Sequence, residues 1–325
     1  MSKQRHLSSR IVQNLFTLFI LITIVFFLFR LLPGDPTVAM VDPSLSAADR
    51  QVLVERFGLD KPLTQQYLLY LKELIKGNLG VSFRYYSPVS QILGEKLLNT
   101  AILVILIFLF AHIVGIIGGV LLAWYRGTTF ELLGNFTALF LRSMPPFWFG
   151  VIMVVIFSFW FNLFPEGGIL SPGHRVSGLA AKYFSWDFLH HLILPVLVGG
   201  LHYMGLPLLL VRNTMLELKG EGFVEMARAK GLSETVVMFK HAARNALLPV
   251  ITAGAFFLGR ALGGLVLIEF VFSWPGIGRE MVNAINGRDY PVAQGAFVLI
   301  AVIIIVINIL TDLIYPYLDP RIQHV

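Results

Sequence analysis

Residues 221–249 read EGFVEMARAKGLSETVVMFKHAARNALLP. They form a polar, basic island: one long hydrophobic run ends before it and another begins after it. The pattern starts as a helix and breaks at Gly231, because glycine takes the left-handed conformation of a helix C-terminus at low cost. Ser233 is placed to cap a second helix running to about Asn245, and Pro249 closes the stretch. A segment this polar between two membrane spans lies in water. Its patterning predicts a docking surface for a soluble partner, and an amphipathic helix resting on the membrane face is the competing reading. Small Ala227 and Ala229 would let another surface approach closely. Arg228 and Lys230 would offer charge to acidic or carbonyl groups.

The flanking sequence sets the class. The chain has 325 residues, 56% hydrophobic and 14% charged, where a soluble domain averages about 25% charged. That composition predicts a polytopic membrane protein. The formal charge of +6 is explained by Lys and Arg on cytoplasmic flanks of membrane helices, so no nucleic-acid partner is expected. With no cysteine, thiolate metal sites, disulfides and thiol nucleophiles are excluded.

Taken in order, residues 1–10 carry Lys3, Arg5 and Arg10 and no acid, and 11–32 are almost wholly apolar. That run approaches the roughly 20 residues of a bilayer span, and RLLPGDP follows it instead of an Ala-x-Ala cleavage site, so it reads as a retained first span with Arg30 snorkelling at its far end. Residues 33–95 read as a small extracytoplasmic subdomain. Pro33, Pro36 and Pro43 stop the helix, Ser46 and Asp49 suggest a capping box, and a helix is expected from Pro62 to Lys76 with Gly77 beyond it. NLGVSFRYY reads as extended, and Pro88–Asn99 as an interfacial segment showing Val89, Ile92, Leu93 and Leu97 on one face. Five further spans are expected at 100–124, 134–163, 189–211, 247–271 and 293–315. Their parity puts the 125–133 turn, the 212–246 island and both termini inside, and the 164–188 and 272–292 loops outside. The island's Arg212, Lys219, Arg228, Lys230, Lys240 and Arg244 agree with the positive-inside rule. The domains are therefore 1–32, 33–95 and 96–325. The fold class is an all-α polytopic membrane protein with six transmembrane helices.

No enzymatic constellation emerges. There is no G-x-x-x-x-G-K-[ST] phosphate loop, so this chain is not expected to hydrolyse nucleotide, and no H-E-x-x-H. His190 and His191 are adjacent, and on a helix they point about 100° apart, a poor chelating pair. Ser143 has His112 in a neighbouring span, but nothing fixes their contact. No catalytic, cofactor or metal residue is assigned. Two other stretches stand out. In FSWPGIGRE, Trp274 suits the interfacial aromatic belt, while Pro275, Gly276 and Gly278 favour a non-helical turn. Arg260 falls mid-way along the fifth span, where an arginine costs about 2.5–3.5 kcal/mol. It either lines a path for an anionic cargo group or pairs with a carboxylate such as Glu269 or Asp312. Gly259 and Gly263 beside it suit close helix packing.

The pattern Glu225-x-Ala227-x3-Gly231 followed by Leu248-Pro249 resembles the EAA motif of binding-protein-dependent ABC importer permeases. FRLLPGDPT at 29–37, GLDKPLTQQY at 58–67, FSWPGIGR at 272–279 and LDPRI at 318–322 resemble the dipeptide, oligopeptide and nickel branch, in its B-type subunit. The likeness covers essentially the whole chain. Met226 departs from the motif's Ala, Ala246 from its Ile, and the interval from Gly231 to Pro249 is long. The resemblance implies a type I importer permease fold. It also implies a coupling helix carrying Glu225, Ala227, Arg228, Lys230 and Gly231, seated on a cytoplasmic ATPase. The 272–279 stretch becomes a re-entrant outer loop beneath a docked binding protein. The implied partners are a second, C-type permease subunit, two ATPase subunits that bind ATP and magnesium, an extracytoplasmic substrate-binding protein and the lipid bilayer of a bacterial inner membrane. The implied cargo is di- or oligopeptides, with nickel chelates, opines and sugars as alternatives. A stand-alone secondary transporter is the rival class; it would show interrupted midplane helices in two related halves, which the sequence lacks.

Overall fold

A computed structural model describes residues 3–31, 60–173 and 178–318. The described chain is mostly helical, and its one β-bridge, Val81 with Pro88, is isolated. The helices are α1 (Lys3–Leu31), α2 (Leu63–Ile75), α3 (Val89–Trp124), α4 (Thr129–Ser143), α5 (Pro146–Val154, continued by a π-helical turn Val155–Trp160) and α6 (Leu179–Tyr183). After these come α7 (Trp186–Tyr203), α8 (Gly205–Leu218), α9 (Gly222–Ala229), α10 (Glu234–Val236, continued by a π-helical turn Val237–Ala242), α11 (Ala243–Val271), α12 (Ile277–Asn286) and α13 (Tyr290–Leu318). Among the described residues, Val12–Leu31, α3 and Tyr290–Thr311 are each long and apolar enough to cross a membrane. The pairs α4–α5 and α7–α8 reach that length only as bent units, with bends of 103° and 42°.

The expected span over 134–163 is therefore not one straight helix. Pro145 and Pro146 follow Met144, and a residue before proline is pushed out of the helical region. Met144 is extended, at φ −72° and ψ 138°. Pro249 has the opposite fate. It was expected to close the island, yet it lies inside α11. A helix continues through a proline where neighbouring groups and local adjustments re-satisfy the freed backbone groups. The second island helix accordingly does not stop near Asn245 but runs on into α11.

The chain divides into two compact units, Met1–Thr100 with Pro275–Ile305 and Ala101–Trp274 with Val306–Val325. In the first, Val25, Phe29, Val89, Leu93, Ile277, Tyr290 and Ala296 share one apolar core. Val89 and Leu93, expected at the membrane interface, are buried in that core, and Val89–Asn99 is the first part of α3 itself. Pro62 precedes α2 and Gly77 ends it at φ +77°, as their sequence positions predict. Beyond the helix, Lys76 Nζ at 2.7 Å and Asn78 Nδ2 at 2.9 Å donate to Glu73 and hold its carboxyl below the usual range. Within the stretch read as extended, Val81 bridges to Pro88 but residues 83–85 form a tight turn. Buried Asp289 accepts from Ser82 Oγ, from Phe83 N at 3.1 Å and from Arg84 N at 3.3 Å, and a carboxylate gathering those donors curls the chain around itself. Arg30 lies with its guanidinium 5.4 Å from the centre of the Phe26 ring, turned to an aromatic face rather than simply outward. The proposed cap Ser46–Asp49 and prolines 33, 36 and 43 fall outside the described residues, as does most of the 318–322 stretch.

In the second unit α3 packs closely on α8. A Cβ at Gly115 would come within 2.8 Å of Met204 O, and one at Gly119 within 2.5 Å of Leu208 O. Two small residues one turn apart thus let the backbones approach. The sequence carried this signal as GIIGG at 115–119, and it went unread beside the similar 259–263 pair.

Candidate docking site

The island begins with α9. Its Val224 and Ala227, three apart, point the same way, and both are buried, at 0% and 4% exposure. They join a core cluster with Val120 and Ala123 of α3, Val211 and Met215 of α8, Val237 and Met238 of the π-helical turn, and Ala246 and Val250 of α11. Ala227, expected to admit an approaching surface, thus serves the chain's own packing, since helical periodicity turns it inward with Val224. Glu225, Met226, Ala229 and Lys230 are exposed on the other side. Phe223, Met226, Leu232, Val236 and Phe239 add exposed apolar surface, with Met226 at 59%.

Gly231 turns the corner. Its φ of +77° is left-handed. Its N–H donates to Arg228 O at 2.8 Å, and Leu232 N–H donates to Ala227 O at 3.4 Å. That pair of bonds is the Schellman closure of a helix. Ser233 occupies the backbone position before the next helix, with Val237 N donating to its carbonyl at 3.0 Å. Its side chain makes no cap bond, so the next helix starts on backbone bonds. Arg228, expected to face a partner, is half-exposed and engaged within the chain. Its Nε donates to Glu234 Oε1 at 2.9 Å, and its guanidinium is 5.3 Å from the centre of the Trp124 ring.

A part-buried ion pair joins α4 to α8. Glu131 accepts from Arg212 Nε at 3.1 Å and is also paired with the Arg212 Nη2, while Gly127 N donates to Glu131 Oε2 at 2.6 Å. Thr128 caps α4 by accepting from Glu131 N at 3.3 Å. Thr128-x-x-Glu131 is a capping-box signature that could have located this pair. Arg212 was counted only as one of the island's cations.

The 272–279 stretch differs more from its reading. Trp274 is fully buried at 0% exposure, its ring 5.7 Å from that of Phe188. It is a core residue, not a membrane-interface anchor. The cause is the end of α11: Ser273 is left-handed at φ +49° and Trp274 N donates back to Glu269 O at 2.8 Å, folding the indole inward. Pro275 and Gly276 are non-helical as expected, but Gly278 is buried within α12. Asn99 Nδ2 holds Pro275 O at 2.8 Å, and Thr100 Oγ1 accepts from Ile277 N at 2.9 Å. Arg260 lies in α11 between Gly259 and Gly263, and its side chain, like that of Asp312, is outside the described ones.

The histidines and Ser143 serve local structure. His190 Nε2 is 2.8 Å from Leu163 O, His191 Nδ1 is 2.8 Å from Asp187 O, and Ser143 Oγ donates to Leu139 O at 2.8 Å.

Comparison with known proteins identifies the family. A family model described as the binding-protein-dependent transport system inner membrane component matches residues 115–324, and the corresponding N-terminal model matches residues 3–104. The chain is 38% identical over 322 residues to the dipeptide transport system permease protein DppB of Escherichia coli strain K12, covering 94% of this chain and 95% of that one. It is 36% identical over 300 residues to the oligopeptide transport system permease protein AppB of Bacillus subtilis strain 168, covering 92% and 93%. Among solved structures, a chain of the inward-facing MetNI methionine ABC transporter aligns with a TM-score of 0.55 at 18% identity, covering 70% of this chain and 97% of that one. That likeness concerns the fold. The protein is a multi-pass membrane protein, and it belongs to the family of binding-protein-dependent transport system inner membrane components.

Proposed function

We propose that this chain is the B-type permease subunit of an ATP-driven importer of di- or oligopeptides. It crosses the inner membrane six times, by α1, α3, the bent pair α4–α5, the bent pair α7–α8, α11 and α13, with both termini in the cytoplasm. Residues 33–95 form an extracytoplasmic subdomain, and 96–325 form the translocating core. The single observation carrying the coupling role is the two-sided island. Val224 and Ala227 are locked into a core shared with α3, α8 and α11, while Glu225, Met226 and Lys230 face out. A face so anchored passes a push to α3, α8 and α11 instead of absorbing it.

The partners are a second, C-type permease subunit, two ATPase subunits that bind ATP and magnesium, and an extracytoplasmic binding protein that delivers cargo above the 272–279 stretch. The chain itself is not an enzyme and holds no cofactor. ATP binding closes the ATPase pair, the docking faces move together, and the permease pair alternates its access. Peptide cargo is favoured over nickel chelates, opines or sugars because the dipeptide and oligopeptide permeases above match over more than nine-tenths of the chain. Arg260 in α11 is assigned to the translocation path, where its charge would meet a peptide carboxylate. Co-purification tests the assembly: an ATPase pair and a second permease should accompany the tagged chain from native membranes. A cross-linker placed at Glu225 should capture the ATPase. Capture of no ATPase from that position, or a chain that transports alone, contradicts the reading.

A further inference from the structure

Trp124 is the last residue of α3, and two cations from elsewhere in the chain meet on it. Lys219, just past α8, brings its Nζ to 5.0 Å from the centre of the indole and donates to the Trp124 carbonyl at 2.9 Å. Arg228 of α9 brings its guanidinium to 5.3 Å from the same ring. Arg228 is itself bonded to Glu234, the first residue of α10, through Nε at 2.9 Å and Nη2 at 3.4 Å. The ring also packs against the apolar cluster that holds Val224, Ala227 and Val237.

Each contact has a physical cause. Indole has the strongest ring quadrupole of the aromatic side chains and attracts cations within about 6 Å of its centre. The last carbonyls of a helix lack partners and lie at the negative end of its dipole, so Lys219 satisfies the end of α3 twice, by charge and by hydrogen bond. The apolar seat of Val224 and Ala227 is non-directional. It resists lifting α9 away and large turns that would expose Val224 and Ala227, but small rotations of this eight-residue helix about its own axis cost it little. Arg228 follows Ala227 directly and leaves the helix off the buried face, so its contact supplies the second point of attachment that stops the turn.

We propose that Trp124 is a positioning residue for the docking helix. It ties α9 through Arg228, and α8 through Lys219, to the end of α3, so that a displacement of the docking face moves α3 instead of rotating α9 in its seat. This inference rests on the reading of α9 as the ATPase-docking element.

The test compares Trp124→Leu and Trp124→Phe with the wild type in the complete transporter in nanodiscs and proteoliposomes. The two readouts are amide hydrogen exchange of 222–229, with α2 as internal reference, and cargo moved per ATP hydrolysed. Trp124→Leu should speed exchange across α9 about tenfold and leave α2 unchanged. It should also lower the cargo-to-ATP ratio about fivefold, whereas Trp124→Phe, which keeps a ring face, stays within about twofold on both counts. Equal behaviour of the Leu and Phe variants would mean that the side chain only fills space and would overturn the proposal. Should Trp124→Leu fail to enter the membrane, Lys219→Met keeps the apolar stem and removes one cation; an unchanged cargo-to-ATP ratio in that variant would equally overturn it. Absence of ATP-driven uptake by the wild type would instead overturn the importer reading, and the exchange comparison would still decide the clamp.

Discussion

At the scale of single residues, Gly231 is the sharpest point of the docking element. A Cβ there would meet nothing within 4 Å, so only the backbone angle opposes substitution. For a non-glycine residue the left-handed conformation costs about 1–2 kcal/mol, a factor of roughly 5–30 in population. Gly231→Ala should therefore leave the protein in the membrane while cutting ATP-coupled uptake by about that factor, measured in vesicles. Full uptake would contradict the role given to the corner. Glu225→Lys reverses a charge on the exposed face and should uncouple uptake with equal membrane insertion, read by uptake against protein level. Arg260→Gln should weaken uptake of cargo bearing a free carboxylate more than that of a carboxyl-blocked analogue; identical kinetics for both would remove Arg260 from the path. Gly231 was legible in the sequence because one residue type answers one backbone need. Trp274 was misread because aromatic type alone does not say whether a ring meets lipid or protein. Burial was decided by the left-handed Ser273, which type does not announce.

At the scale of elements, the legible features were local. The helix from Leu63 to Ile75 followed from Pro62 and Gly77, and the end of α9 from Gly231, whereas the burial of Ala227 did not show in the sequence. The illegible ones depended on what lies beside the chain. Pro145–Pro146 bends one pair of helices by 103°, whereas Pro249 sits within a 29-residue helix. Proline removes the same donor in both places, and the surroundings decide whether the helix survives. The turn around Asp289 joins residues more than two hundred apart in sequence, which no local pattern could signal. The packing of α3 on α8 gives a direct check. Gly119→Leu would drive a side chain into Leu208 O and Val211, and overpacking of this kind costs about 1–3 kcal/mol. It should lower the thermal midpoint of the purified complex, whereas Gly77→Ala, whose strain at φ +77° is local to the end of α2, should leave the docking element's hydrogen exchange unchanged.

At the scale of the whole molecule, composition and hydropathy gave the membrane class, and family-specific stretches distributed over the chain gave the importer family. Cargo is set by path-lining chemistry that a pattern of spans does not carry. The account stands on one claim, that an ATPase drives this permease through the exposed face of α9. Its most direct measurement is uptake of a labelled dipeptide into proteoliposomes containing the chain with its second permease and ATPases, with the binding protein outside and ATP sealed within. The account predicts uptake that requires ATP and binding protein together and is lost in Glu225→Lys while the ATPases continue to hydrolyse ATP. Uptake that persists without ATP, or is unaffected by Glu225→Lys, would contradict it.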